Sequence, residues 1–361
     1  MKKNILAIAL AAAALAGTSS CDKVSPQGVL MAGTGVDDRV KMSITYYTDT
    51  FDKFSDLLVD GEEYTFLIGA DSHVTTDTMR MHEMFQIALD NNDLFVVHLG
   101  DIADTKPEYY KLLKEVVHNF KLNYFYKNFA PMFDYDEESD LWVYRENPTL
   151  KMTLENLIEN FVLVFFPVVG NHDITHNGWA LWSDIFKSSF YEFNVRSGIN
   201  PENPMGNKDH FIFLDSASGT LGAKQIDAIN AGMLDFYTNN DFIIDGDEEG
   251  QIDPLGGARH TFLFSHTNLF RPNTVQFAST FPREEMYYIL DCLDRWNVSG
   301  MFCGHVHAWD DRKIGTVRYV TLDSMSERNS PHAGDYLVRV HVRGNGQWDI
   351  EKVRMNYVAS K

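Results

Sequence analysis

Phe302-Cys303-Gly304-His305-Val306-His307 closes an apolar run, Val298 to Cys303, that reads as a buried strand with a glycine at its end. Two histidines follow, two residues apart. In an extended segment side chains alternate faces, so His305 and His307 point to the same side. Two imidazoles converging at a strand end can bind one metal ion, or one ion each of a pair. His-x-His alone also describes two solvated loop histidines, so the chain upstream has to decide.

Upstream the same arrangement recurs. The apolar run 64–69 ends in Ala70-Asp71-Ser72-His73. Residues 94–99 form an apolar strand interrupted only by His98, expected to be a satisfied core histidine, and end in Gly100-Asp101-Ile102-Ala103-Asp104. The run 161–169 ends in Gly170-Asn171-His172-Asp173, the run 211–214 in Asp215-Ser216, and the run 261–264 in Ser265-His266. Helical spacing of apolar residues is expected over 76–89, 179–193, 223–239 and 282–296. Residues 40–47 read as an edge strand. From 317 to 353 apolar and polar residues alternate (Tyr336, Val338, Val340, Val342), which predicts antiparallel strands closing a sheet. Strand then helix, repeated, argues for an α/β fold, in which ligands collect beyond the carboxyl ends of strands.

Composition sets the bounds. The chain has 361 residues, 44% of them hydrophobic, enough for a large core. Its formal net charge of −20 repels phosphate backbones, so no nucleic-acid partner is expected. There is no polybasic run and no internal repeat of fixed period. The amino terminus reads as a targeting segment, with Lys2 and Lys3 followed by an apolar stretch over 5–17 and then Thr18-Ser19-Ser20-Cys21. This resembles a bacterial lipoprotein signal, cleaved before a cysteine that is then lipidated, although Thr18 stands where leucine is usual. The alternative is an ordinary secretory signal cut near Ala16. The expected organisation is a signal peptide over 1–20, a tether over 21–39 and one domain over 40–361. That places the mature protein outside the cytoplasm, lipid-anchored at the cell envelope. Cys292 and Cys303 lie in apolar runs and are expected to be buried free thiols.

Five strand ends therefore carry metal-ligand residue types in order: Asp71-x-His73, Gly100-Asp101, Gly170-Asn171-His172, His266 and Gly304-His305-x-His307. Asp71 and His73 share a face by the argument used for His305 and His307. Gly100 and Gly170 free the backbone to turn sharply. A carboxylate can bridge two cations, and Asp101 is the best placed to do so. An asparagine amide is a neutral oxygen ligand that adds no charge to repel a phosphate.

With these blocks the sequence resembles the calcineurin-like metallophosphoesterase family, whose signature is Asp-x-His, Gly-Asp-x-x-Asp, Gly-Asn-His-Asp, a strand-end His and Gly-His-x-His. The resemblance implies a four-layer α/β/β/α sandwich of two mixed sheets, with a dinuclear metal site at strand carboxyl ends. It implies that Asp71, His73 and His307 hold one ion, that Asn171, His266 and His305 hold the other, and that Asp101 bridges them. His172 would face the substrate and assist the leaving group. Asp104 and Asp173 would be supporting carboxylates that orient His172 and the site backbone, or helix caps. The cofactors implied are two divalent ions drawn from Mn, Zn, Fe or Co. A tyrosine that ligates iron in the purple acid phosphatases is replaced here by Asp104, so a ferric site is not expected. The activity implied is hydrolysis of a phosphoester by a hydroxide bridging the two ions. The substrate would be a phosphorylated small molecule or lipid. Monoester and diester chemistry need the same metals, and a non-catalytic binding lipoprotein is a remoter alternative.

Three side features remain open at this level. An aromatic-rich helical insertion is expected over about 109–160, either a cap over the substrate pocket or a hairpin with its own aromatic core. His176 and Trp179 are candidates to border the substrate. Asp245-x-Asp247-x-Glu249-Gly250 echoes a calcium loop but lacks its final glutamate, and reads as a solvated acidic loop.

Overall fold

The computed structural model describes residues 35–49, 56–59, 61–160, 162–231, 257–270, 281–326 and 336–356. In chain order it begins with helix α1 (Val36–Asp49), strands β1 (Leu57–Leu58) and β2 (Tyr64–Gly69), helix α2 (Met79–Asn91), strand β3 (Val96–His98) and helix α3 (Pro107–Tyr124). A small unit follows, with β4 (Phe133–Asp136), β5 (Leu141–Tyr144), β6 (Lys151–Met152) and α4 (Leu154–Asn160). Then come β7 (Phe165–Pro167), the short α5 (Asn171–Ile174), α6 (Gly178–Phe186), β8 (Tyr191–Ser197), β9 (Asn207–Phe213) and α7 (Gly222–Asn230). The chain closes with β10 (Ala258–Ser265), α8 (Arg283–Arg295), β11 (Val298–Cys303), β12 (Asp310–Ile314), β13 (Val317–Thr321), β14 (Tyr336–Val342) and β15 (Trp348–Arg354).

Two mixed sheets result. One runs β1-β8-β9-β10-β11-β13-β12 and the other β15-β14-β2-β3-β7. The parallel strands β2, β3 and β7 of one sheet and β9, β10 and β11 of the other end at the same edge of the molecule. Alternation along each strand separates three cores. Phe66, Phe95, Phe166, Phe211, Phe213, Phe262 and Phe264 fill the space between the sheets. Ile212 and Leu263 turn the other way, under α1, α7 and α8. Leu67 and Val96 pack beneath α2, α3 and α6. This is the expected four-layer α/β/β/α sandwich. Each fully buried phenylalanine contributes roughly 1.5–3 kcal/mol, and rings such as Phe193 and Phe211 stack with centroids 5.1 Å apart.

Several elements differ from expectation. Residues 40–47 are not an edge strand but part of α1, because Val36, Val40 and Ile44 recur every four residues and bury one helical face. The folded part therefore starts by Val36 and takes in residues assigned to the tether. The expected helix over 179–193 ends at Phe186, where Lys187 adopts a left-handed φ of 65°, and β8 follows. The strands after Val317 divide between the sheets, with β13 parallel to β11 and β14 antiparallel to β2. Cys292 and Cys303 are free and buried, and burial pushes the Cys303 thiol up to about 12. The signal segment, Cys21 and the acidic loop at 245–256 lie outside the described residues. No helix among the described residues is long and apolar enough to cross a membrane.

The aromatic insertion is part helix and part sheet, since β4, β5 and β6 form a three-stranded antiparallel unit. Helix α3 leaves the ligand end of the sheet and runs back 18 residues, about 27 Å, to the opposite end. There the Tyr124 hydroxyl donates to the Leu94 carbonyl at 3.0 Å, ahead of β3. The aromatics pack on one another, with Phe125 and Trp142 5.1 Å apart edge to face. They continue the core beneath the sheet, Phe120 stacking on Phe85 with centroids 4.2 Å apart, rather than capping the ligand ends of the strands.

Candidate metal centre

The loops that follow β2, β3, β7, β10 and β11 converge at one edge. Two groups of donors form there. Asp71, His73, Asp101 and His307 make the first, and Asp101, His266 and His305 the second, with the ligand atoms of each group within 4.8 Å of one another. Asn171 joins the second group, its Oδ1 2.9 Å from His266 Nε2. Asp101 belongs to both. Its Oδ1 accepts the backbone N–H of His172 at 2.7 Å, while its Oδ2 lies 3.5 Å from His266 Nε2 and 3.9 Å from His73 Nε2.

The backbone here is not extended, as the alternating-face argument assumed. Asp71, His73, Asp101, His305 and His307 all have left-handed φ, between 43° and 70°. Non-glycine residues rarely adopt this region, and sites of function are where such strain collects. Left-handed turns still bring each pair to one place, but His305 goes to the second group and His307 to the first. The glycines act mainly through close approach. A Cβ at Gly170, whose φ is an ordinary −103°, would collide with Asp101. One at Gly304 would stand 2.7 Å from Asp71 Oδ2. Gly100 alone of the three uses a positive φ, 91°.

The polar surroundings orient the donors. His266 Nδ1 is 2.8 Å from the Leu99 carbonyl, which fixes Nδ1 as the donor and turns Nε2 toward Asn171 and Asp101. The Asp71 carboxylate accepts the His305 backbone N–H at 3.0 and 3.1 Å and lies 3.4 Å from His307 Nε2. Ser324 Oγ holds the Asp71 carbonyl at 2.8 Å. Asp173 ties two ligand loops together: it accepts from the backbone of Gly170 at 2.8 Å and Ile102 at 3.1 Å, and from the Tyr110 hydroxyl at 3.1 Å. It orients the site backbone and also caps α5. Asp104 Oδ1 faces His73 Nδ1 at 3.5 Å, and His73, Asp104 and His172 form a third close cluster. His172 is exposed at the rim, with its ring edge-on to His73 at 4.8 Å.

Burial and mutual charge perturb these groups strongly. Burial pushes the Asp101 carboxyl up to about 7, helped by the negative charge of Asp71. Burial acts upward on Asp71 too, but the hydrogen bond from His307 and the neighbouring imidazoles outweigh it and hold Asp71 well below the usual carboxylate range. Burial lowers His73 to about 4 and His305 to about 3, keeping both neutral. Two buried carboxylates, an amide oxygen and four imidazoles form a donor set suited to two first-row divalent ions, and neutral imidazole is the form that binds them.

Trp179 does not border the site: it is buried beneath α1. His176 is exposed in the turn after α5, with a left-handed φ of 49°. His98 is buried but not satisfied: neither ring nitrogen has a hydrogen-bond partner, and burial lowers it to about 3. Ser216, Ser324 and Tyr110 carry no sequence signal of their own, and only the fold reveals them. A groove of about 950 Å³ lies away from these loops, between α3, α4, α6 and β7, lined by Lys111, Lys121, Phe165 and Phe186.

A sandwich whose strand ends bring two donor groups onto one shared carboxylate defines a dinuclear metal hydrolase. The model of the calcineurin-like phosphoesterases matches residues 64–309, about two-thirds of the chain, and the protein belongs to that family. It is a metal-dependent phosphoesterase with its metal-ligand group intact. No curated protein matches the sequence. Among solved structures, a dimetal phosphatase from Danio rerio is similar at 12% identity and a TM-score of 0.35, covering 80% of this chain and 98% of its own. The phosphopantetheinyl hydrolase of Mycobacterium tuberculosis is 13% identical with a TM-score of 0.35, covering 83% and 100%. GAP50, the anchor in the inner membrane complex of Plasmodium, is 12% identical with a TM-score of 0.41, covering 82% and 90%.

Proposed function

We propose that the protein hydrolyses a phosphorylated small molecule or lipid at the bacterial cell envelope, with Asp71, His73 and His307 holding one divalent ion, Asn171, His266 and His305 a second, and Asp101 shared between them. The observation that carries this reading is the position of Asp101, buried and common to both donor groups. When bound, two such ions polarise the phosphoryl group and make a water nucleophilic near neutral pH. The chain's own residues do the rest. The His172 backbone N–H fixes Oδ1 of Asp101, so the shared carboxylate keeps one orientation. Leu99 O holds His266 in the tautomer that presents Nε2. Asp173 joins the Gly170 and Ile102 loops, so the two donor groups keep their separation. His172, exposed beside His73, is placed to donate a proton to the departing oxygen.

The test is hydrolysis of p-nitrophenyl phosphate and bis-p-nitrophenyl phosphate by the mature protein across Mn, Zn, Fe and Co. Release of nitrophenol that requires metal and disappears in Asp101→Ala supports the reading. Metal-independent release refutes it. Preference for the diester makes the protein a phosphodiesterase, and preference for the monoester a phosphatase. Envelope anchoring rests on Lys2, Lys3, the apolar stretch 5–17 and Cys21. Labelling with a fatty acid that is lost in Cys21→Ser supports it, and equal labelling of that variant does not.

A further inference from the structure

Helix α1, whose first residues fall within the expected tether, reaches two segments that flank the second donor group: the turn after β9, which bonds the His266 backbone, and the helix that follows Asn171. Arg39 is fully buried, and its guanidinium donates two hydrogen bonds to Asp215, both 2.8 Å, and one to Ser218 Oγ at 3.1 Å. Asp215 is the first residue of the polar turn after β9. The next residue, Ser216, accepts the backbone N–H groups of His266 and Thr267 on its Oγ at 3.1 and 3.0 Å. Thr267 Oγ1 returns a bond to the Ser216 carbonyl at 2.8 Å. A continuous line of short bonds thus runs from Arg39 to the backbone of His266. On its other side the Arg39 guanidinium lies over the ring of Trp179, 5.9 Å from its centre, and Trp179 Nε1–H points at Met42 Sδ at 3.4 Å. Trp179 belongs to the helix that follows Asn171 and His172.

A buried ion pair of this kind adds little net stability over an apolar pair of the same size, yet it fixes geometry. Bidentate arginine–carboxylate contacts are directional where apolar packing is not. We infer that Arg39 is a positioning residue which, through Asp215 and Ser216, sets the place of His266 and thereby the affinity of the Asn171–His266–His305 group for its ion. This rests on the two-ion reading above. The end of the expected tether, as the first turn of α1, is then part of the working site and not only a connector.

The experiment compares the wild-type chain with Arg39→Met, Arg39→Lys and Ile44→Ala by calorimetric titration of Mn(II), well below each melting temperature. Ile44 is a buried apolar residue on the same helix with no polar group to bond the Asp215 turn, so its variant reports destabilisation of α1 alone. Two binding events are expected in the wild type. Arg39→Met should weaken one of them about tenfold to a hundredfold, leave the other within about threefold, and lower kcat more than it changes KM. Arg39→Lys should fall between, and Ile44→Ala should lower the melting temperature while leaving both affinities alone. Equal weakening of both events in Arg39→Met, or the same weakening in Ile44→Ala, overturns the inference while leaving the two-ion reading standing. A single binding event in the wild type overturns the two-ion reading itself, and this inference with it.

Discussion

Phe211 and Asp101 are equally buried, yet they sit in opposite environments. Phe211 lies in an ordinary strand between the sheets, its ring 5.3 Å from Phe66 and 5.1 Å from Phe193. Asp101 has a left-handed backbone and is surrounded by a second carboxylate and four imidazoles. Five of the seven candidate ligands share that backbone strain, at roughly 1–3 kcal/mol each. The interior holds the rim in conformations that the rim would not choose. Stability and chemistry are therefore carried by different residues, and substitutions should separate them.

The largest separation is expected at Asp101. Asp101→Ala should lower kcat/KM at saturating metal by at least about ten-thousandfold, or about 5 kcal/mol of barrier, with the protein still folded. A variant that keeps a tenth of wild-type activity would break the comparison. Phe211→Ala should do the reverse. It should cost about 3–5 kcal/mol of unfolding free energy in a denaturant titration, while kcat per folded molecule stays within about twofold. Loss of activity without loss of stability there would show that the two regions are not separable.

A smaller effect sharpens the point. Asparagine adopts left-handed backbone more readily than histidine, so His305→Asn should raise the stability of the metal-free protein by about 1 kcal/mol and abolish one metal-binding event. Chelator-treated samples in a thermal melt give the answer, and a lower melting temperature would deny the strain.

Acidity gives a further contrast. Asp101 and Asp173 are both raised to about 7, burial being the main cause in each. A carboxyl whose folded value lies above its unfolded value stabilises the fold fully below the ordinary carboxylate range, and that contribution is lost as pH rises through about 7. Between about pH 7 and 8 unfolded histidines are already mostly neutral, as are the folded His73 and His305. The metal-free protein should therefore lose stability across that window, and Asp101→Asn should remove part of the slope. Metal affinity should rise over the same range, because Asp101 must release its proton to bind. Isothermal titration in buffers of different ionisation heat would count that proton, and an affinity independent of pH would refute the assignment. The smallest effect expected is at Cys292 and Cys303, both free and buried. Reductant should leave the melting temperature unchanged, whereas a shift would mean a disulfide in the folded protein.

The rim was more legible in the sequence than its energetics suggest. Each ligand follows an apolar run that could only be a buried strand, and Val298–Cys303 has the bounds expected of it. What the sequence hid was long-range or conformational. Val40, Met42 and Ile44 fit a period of two as well as a helix, and Arg39 reads as a solvent-facing residue until Asp215, 176 positions away, is beside it. Lys187 ends α6 without glycine or proline, so the sequence reads as helix on into β8. The left-handed turns at Asp71, His73, Asp101, His305 and His307 fall on non-glycine residues, where the residue type does not announce them. The turn at Asp140, φ 56°, likewise hid the hairpin of β4 and β5 among aromatics that looked helical.

The most direct measurement is anomalous diffraction from crystals of the mature protein grown with Mn(II). The expected map has two peaks about 3.5–4 Å apart, one on each side of the Asp101 carboxylate. One peak lies against Asp71, His73 and His307, and the other against Asn171, His266 and His305. A single peak, or a peak seated only among His73, Asp104 and His172, would contradict the shared-carboxylate centre.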